Sequence, residues 1–224
     1  MFNTIHSLKF FLYDWEGYNQ VLSQLIHSSV HCKPLIMLVK GMTQMGSFYF
    51  FPLHFAAVLV LMFTALHKNK KDIVKKKILY AEHFVLLSLN FAIGAFVFEA
   101  MKRFFHYPRP YCVHDFHMSQ LMLDMFNYSQ NSCNYSFPSG HTAYIYLLVL
   151  SFWKILSTPL KVAGISLVLI VGMSRVILGA HFLADVTYAL LISLYMIHPL
   201  ANSLLAKYYP KYKPLVTRLT KKFL

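Results

Sequence analysis

The chain reads as an all-α polytopic membrane bundle of about five transmembrane helices, or six if its N-terminal segment also crosses. Three observations predict this. Of its 224 residues, 57% are hydrophobic and only 13% are charged, whereas ordinary soluble domains carry about a quarter charged residues. Several apolar runs approach the ~20 residues that a helix needs to cross the hydrocarbon core. The 21 Lys and Arg outnumber the 8 Asp and Glu for a net charge of +13, and the excess is concentrated at 68–77 and 207–222, flanking apolar runs as cytoplasmic anchors do. Such a composition excludes a disordered chain and an ordinary soluble domain.

Residues 1–45 are the least regular. Asp14 and Glu16 interrupt the only early apolar run, and no signal peptide with a basic start and a small-residue cleavage site is visible, so no cleavage is expected. Val21, Leu22, Leu25 and Ile26 share one helical face opposite Gln20, Gln24 and His27, which suits a helix lying in the interface; an imperfect sixth span is the rival reading. Residues 46–66 form an uncharged run of spanning length. A second span covers 79–101, with Glu82, His83 and Glu99 near its ends, where polar groups reach headgroups. Three more, at 142–156, 162–178 and 186–205, are joined by short connections. The positive-inside bias puts the 67–77 link and the basic tail in the cytoplasm. The loop 102–141 and the turn between the last two spans then share the opposite face. This divides the chain into an interfacial segment 1–45, a membrane domain 46–205 and a basic cytoplasmic tail 206–224, with no internal repeat or linker.

Three short segments on that opposite face hold most of the remaining cations and histidines: Lys102, six residues, Arg109-Pro110; then Pro138-Ser139-Gly140-His141; then Ser174-Arg175, five residues, His181, three residues, Asp185. Displacement at phosphorus spreads charge over equatorial oxygens, so its catalysis is mostly positioning and electrostatic stabilisation. Arg109 and Arg175 supply planar forks for phosphate oxygens and Lys102 a compact charge, although isolated cations at span ends also snorkel to headgroups. Ser139 and Gly140 precede an apolar helix whose first amides and dipole favour an anion; a simple cap by Ser139 is the alternative. His181 and Asp185 are four apart. If the turn is already helical they share a face, and the carboxylate holds the imidazole in the tautomer that leaves its other nitrogen free. That makes His181 the candidate nucleophile. Glu99 pairs with Lys102 or Arg103 one turn on.

Together the three segments resemble the signature of the type 2 phosphatidic acid phosphatase superfamily, which includes vanadium haloperoxidases and bacterial envelope lipid phosphatases. The resemblance covers about 46–205, and no motif position departs from the pattern. It implies a lipid phosphatase without metal or cofactor, in which His181 attacks phosphorus to form a phosphohistidine that water hydrolyses, and His141 protonates the leaving oxygen. Asp185 orients His181, and Lys102, Arg109, Ser139, Gly140 and Arg175 bind the phosphate. His114, Asp115, His117 and Asp124 imitate a metal site but match no ligand spacing.

The implied partners are a phosphorylated lipid of the phosphatidic acid, phosphatidylglycerophosphate, undecaprenyl diphosphate or lipid A class and the bilayer itself, in a bacterial inner membrane with the site facing outward. Aromatic residues such as Phe104, Phe105, Tyr107 and Tyr111 line an acyl-chain entry or form an interfacial belt. The 27-residue loop 111–137 is of functional length. Cys112 and Cys133 at its ends form a disulfide if that face is oxidising and remain thiols otherwise, while Cys32 is expected to be buried or inert. Two rival functions remain: phosphotransfer to a second lipid, and non-catalytic binding or transport of phospholipids. Soluble haloperoxidase chemistry conflicts with the apolar spans, and no nucleic-acid module accompanies the basic clusters.

Overall fold

The computed structural model describes residues 12–50, 52–58, 60, 73–126, 128 and 130–222. The described residues are helical with no strand. The elements are α1 (Tyr18–Ser28), α2 (Lys33–Gln44), α3 (Ile73–Phe105), α4 (Gln120–Met125), α5 (Gly140–Phe152), α6 (Thr158–Ile177), α7 (Leu183–Ile192), a π-helical turn (Ser193–Ile197) and α8 (His198–Lys222). Of the span expected at 46–66, residues 51, 59 and 61–66 lie outside the described residues, and 52–58 are helical.

Three described helical runs are long and apolar enough to cross a membrane, and α5 is a shorter apolar helix. Their lipid exposure follows from composition. Only 28% of the most apolar window of α3, and 28% of that of α6, is buried inside the protein. Large apolar side chains such as Phe96, Leu169 and Met196 point outward, where bilayer rather than water is the solvent that tolerates them. The exception is α5, apolar on all sides and packed centrally, with nine of its thirteen residues buried, as expected for a helix with no polar stripe.

Small residues set the close approach. A Cβ at Gly94 of α3 would meet Leu147 of α5 at 2.9 Å, and one at Gly172 of α6 would meet Val186 of α7 at 2.8 Å, so backbones pack where larger side chains would hold them apart. The main core joins Phe98, Ala143, Leu147, Ala184, Ala189 and Ile197. Pro159, in the first turn of α6, fits where its missing N–H costs nothing. Past the π-helical turn, α8 continues through the basic tail to Lys222 despite Pro210 and Pro214.

At 33 residues α3 is about 50 Å long, well beyond the hydrocarbon thickness. Lys75, Lys76 and Lys77 mark one end and Lys102 the other. The basic end of α8 returns to the first of these: Tyr209 Oη donates to the Ile78 carbonyl at 3.4 Å, and Leu86, Ala201, Leu205 and Tyr209 pack together. The two basic ends therefore gather at one pole of the bundle. At the other pole the end of α3, the start of α5 and the α6–α7 turn converge.

Candidate active site

Each motif reaches this pole by a different local device. Arg109 follows the end of α3 in extended backbone. Its side chain is tied down by three carbonyls, with Nε donating to Ser132 at 3.0 Å, Nη1 to Ala180 at 3.1 Å and Nη2 to Tyr135 at 3.2 Å. Those acceptors come from the 111–137 loop and the α6–α7 turn, so the guanidinium is fixed and its remaining N–H groups are free to serve an anion. Cys112 and Cys133 are joined in a disulfide with Cα atoms 5.7 Å apart, closing a loop of sequence separation 21. The Arg109 amide also donates to the Cys133 carbonyl at 2.7 Å. A loop of this size restricts the unfolded chain by about 3 kcal/mol, and here the restriction acts where Arg109 is held.

Ser139 is the N-cap residue of α5, and its side chain makes no capping bond. Its hydroxyl pairs instead with that of Thr142 at 3.0 Å, and its amide donates to the Asp185 carbonyl at 3.1 Å. The first amides of α5, which have no helical acceptor, are thus left to an outside anion. Lys102 reaches the same spot: a Cβ at Gly140 would lie 3.6 Å from its Nζ. Glu99, one turn below, pairs with exposed Arg103 at 2.8 Å.

The third motif turns on Gly179, whose φ of +62° is a left-handed conformation natural to glycine at a helix end. The Ala180 and His181 amides both donate to the Arg175 carbonyl, at 3.0 and 3.2 Å, folding His181 back beside Arg175. Arg175 Nη1 donates to Thr43 Oγ1 of α2 at 3.0 Å, while its buried Nε has no partner. A buried donor without an acceptor is costly, and a phosphate oxygen would supply one. His181 is not yet helical when it meets Asp185. It precedes α7, whose third residue is Asp185, and the two approach at 3.3 Å through Nδ1 and Oδ2, leaving Nε2 free. Both are buried, at 2% and 0% exposure. Burial, followed by the fields of Arg109, Arg175, Lys102 and His141, holds the His181 imidazole well below its usual pKa, so it is an unprotonated nitrogen at neutral pH.

All eight motif residues expected from sequence are therefore at one pole, with Lys102, Arg109 and Arg175 near enough to both histidines to act on their charge. A cavity of about 340 Å³ between α3 and α5 is lined by Glu99, Lys102, Gly140 and His141 towards this pole and by Phe98, Gly94, Phe91 and Tyr144 farther along α3 and α5, so it is polar at one end and mostly apolar beyond. The metal-like residues lie elsewhere: His114 and Asp115 pair with each other, well exposed. Cys32, expected to be buried or inert, is exposed.

The PAP2 superfamily matches the chain over residues 83–209, which is more than half its length and contains all three motifs. The chain belongs to the PAP2 superfamily. Two solved structures share the fold. Aquifex aeolicus LpxE superposes with a TM-score of 0.59 at 21% identity, covering 81% of this chain and 93% of its own. The first transmembrane PAP2-type phosphatidylglycerolphosphate phosphatase from Bacillus subtilis gives 0.58 at 19%, covering 92% and 93%. No curated protein matches.

The PAP2 motifs do not include every group that builds this site. Thr43, which holds Arg175, and Tyr13 and Ser136, which reach Asp185, escape a reading of sequence. Ser136 lies close to the second motif, a proximity visible in the sequence, but Tyr13 and Thr43 are more than a hundred positions from their partners and carry no spacing signal.

Proposed function

We propose that the protein is a membrane lipid phosphatase that removes phosphate from a phosphate monoester or diphosphate of a membrane lipid without metal. The observation that carries this reading is the junction of two environments. At the polar end of the α3–α5 cavity stand Lys102, Gly140 and His141, with Arg109 and Arg175, whose buried Nε has no protein acceptor, at the same pole. Beyond that end the walls are mostly apolar. A lipid phosphate has the matching shape, an anion attached to a chain that prefers hydrocarbon.

In this reading the cations and the α5 amides hold the phosphoryl oxygens. His181 Nε2 attacks phosphorus in line, the bond from phosphorus to the lipid oxygen breaks, and His141 gives that oxygen its proton. Burial and then Arg175, Lys102 and Arg109 lower the pKa of the His141 imidazole to about 3, and the bound phosphoryl anion, by offsetting those cations, lets it carry the proton. Water then attacks the phosphohistidine, the P–N bond breaks, His141 accepts the water's proton and inorganic phosphate leaves. Asp185 keeps the His181 proton on Nδ1 throughout. Because the basic ends of α3 and α8 sit at the opposite pole, the positive-inside rule supports a site on the outer face of the cytoplasmic membrane.

The test is phosphate release by the purified protein in detergent, with chelator present, from phosphatidic acid, phosphatidylglycerophosphate, undecaprenyl diphosphate and lipid A, with mass spectrometry of the lipid products. The expected outcome is chelator-resistant release of inorganic phosphate from at least one of these lipids. Binding without turnover on all four would contradict the proposal, as would transfer of the phosphoryl group to a second lipid with no free phosphate.

A further inference from the structure

The Asp185 carboxylate is held by more than the imidazole it faces. Its Oδ1 accepts the Tyr13 hydroxyl at 2.7 Å. Its Oδ2 accepts the Ser136 hydroxyl at 2.5 Å and the Phe182 amide at 2.9 Å, on the same oxygen that His181 approaches. Asp185 and Ser136 are both 0% exposed and Tyr13 is 7% exposed. A buried carboxylate needs donors, but the division of labour here is informative. Three groups crowd Oδ2, and in the described structure the side-chain donor to Oδ1 comes from 172 positions away.

That donor is delivered by a built segment. Trp15, Glu16 and Gly17 all have positive φ, a backbone that the first two adopt only at a cost, and this turn leads from Tyr13 into α1. The inward face of α1 is polar. Asn19 Oδ1 accepts the Ala184 amide at 2.9 Å and Ser23 Oγ accepts the Leu183 amide at 2.9 Å. These are the first amides of α7, which lack helical acceptors. His27 Nδ1 bonds the Ile177 carbonyl at 2.8 Å and its Nε2 accepts the Ser119 amide at 3.0 Å. Val21 and Leu25, by contrast, are exposed on the outer face. So α1 caps the helix that carries Asp185 and braces the end of α6 before it. The Tyr13 ring stands edge-on to Phe137, 5.3 Å between centroids, and tilted against Tyr107 at 4.2 Å. Burial, and then the adjacent Asp185, raise the Tyr13 phenol well above its usual pKa, so it remains a donor at all working pH values.

We propose that Tyr13 is a positioning residue for phosphate transfer: by holding Oδ1 it stops the Asp185 carboxylate from rotating and keeps Oδ2 aimed at His181 Nδ1. The idea rests on His181 being the nucleophile and extends the reaction machinery to the N-terminal segment. With the phenol hydroxyl gone, Oδ1 is a buried acceptor without its donor, and the carboxylate turns to regain one. Orientation of the imidazole suffers, which slows the chemical step. Phosphate binding, which depends on Lys102, Arg109 and Arg175, does not.

The experiment uses the full chain in detergent with dioctanoyl phosphatidic acid as substrate and inorganic phosphate as competing ligand, or whichever lipid phosphate of the panel above is turned over. Tyr13→Phe is expected to lower kcat about tenfold while KM and the inhibition constant of inorganic phosphate stay within about twofold. Asp185→Asn is expected to lower kcat about a hundredfold, and Tyr13→Phe/Asp185→Asn to be no slower than Asp185→Asn, because the hydroxyl acts through the carboxylate. A Tyr13→Phe kcat within about twofold of the parent, with Asp185→Asn impaired, overturns the role of Tyr13 and leaves the nucleophile assignment intact. A further tenfold loss in the double variant marks a merely structural contribution and also overturns it. Full activity in Asp185→Asn instead removes the reading on which the inference rests. Should Tyr13→Phe fold poorly, Tyr13→His, which can still donate, must retain more kcat than Tyr13→Leu; equal losses in those two overturn the proposal.

Discussion

The His181→Ala variant is expected to lose about 10⁶-fold in kcat for lipid-phosphate hydrolysis, the scale seen when a nucleophile is removed from a preorganised site. Among the described residues, His181 is the one imidazole held by a carboxylate within the site. His141 belongs to a different motif and does not face the Asp185 carboxylate, whose only described imidazole partner is His181. The three cations and the α5 amides remain in the variant, so KM should change by less than about threefold. Initial rates of phosphate release over a range of lipid concentration separate the two parameters. A variant with near-parent kcat would mean that water, or another group, attacks phosphorus directly.

The second large effect is expected at Arg175. Arg175→Lys keeps the charge but loses the fork, and about 10² in kcat/KM should go with it. The reason lies in how the guanidinium is used: one nitrogen is committed to Thr43, and the buried Nε is the donor left without a protein partner. An ammonium can satisfy Thr43 or an anion from that position, but not both in the same geometry. Arg103→Ala serves as the comparison, since Arg103 is exposed and pairs with Glu99 at the surface, where such pairs contribute little. Its kcat/KM should stay within about twofold. Equal activity in Arg175→Lys and the parent would show that Arg175 supplies charge alone.

The parts of this molecule that sequence displays are those written in short intervals. The 79–101 and 162–178 runs appear as α3 and α6 with ends shifted by a few residues, because a run of apolar residues long enough to span can do little else in a bilayer. The basic ends of α3 and α8 meet, as their shared sign implied. Within the site, the six residues from Lys102 to Arg109 and the five from Arg175 to His181 were enough to bring the motifs to one pole. What the intervals do not carry is contact between distant segments. The expectation that His181 and Asp185 share a helical face depended on a helix that starts only at Leu183; the pair still meets, because Gly179 turns the chain and Asp185 caps backward onto the Phe182 amide. The polar face of α1 reads as a surface pattern until Asn19 and Ser23 are seen to bind the α7 amides, and nothing local marks Tyr13 as a partner of Asp185. Cys32, an apolar-seeming residue by type, is exposed because it stands just before α2, at its N-cap.

The most direct test of the account is to trap the covalent intermediate. The protein is mixed with a ³²P-labelled lipid phosphate that it hydrolyses, quenched in alkaline denaturant within the first turnover, and digested. The label should be stable in base and lost in acid, as a phosphoramidate is, should reside on the peptide containing His181, and should be absent from His181→Ala. Acid-stable label on Ser139, or rapid phosphate release with no labelled protein at any quench time, would contradict it.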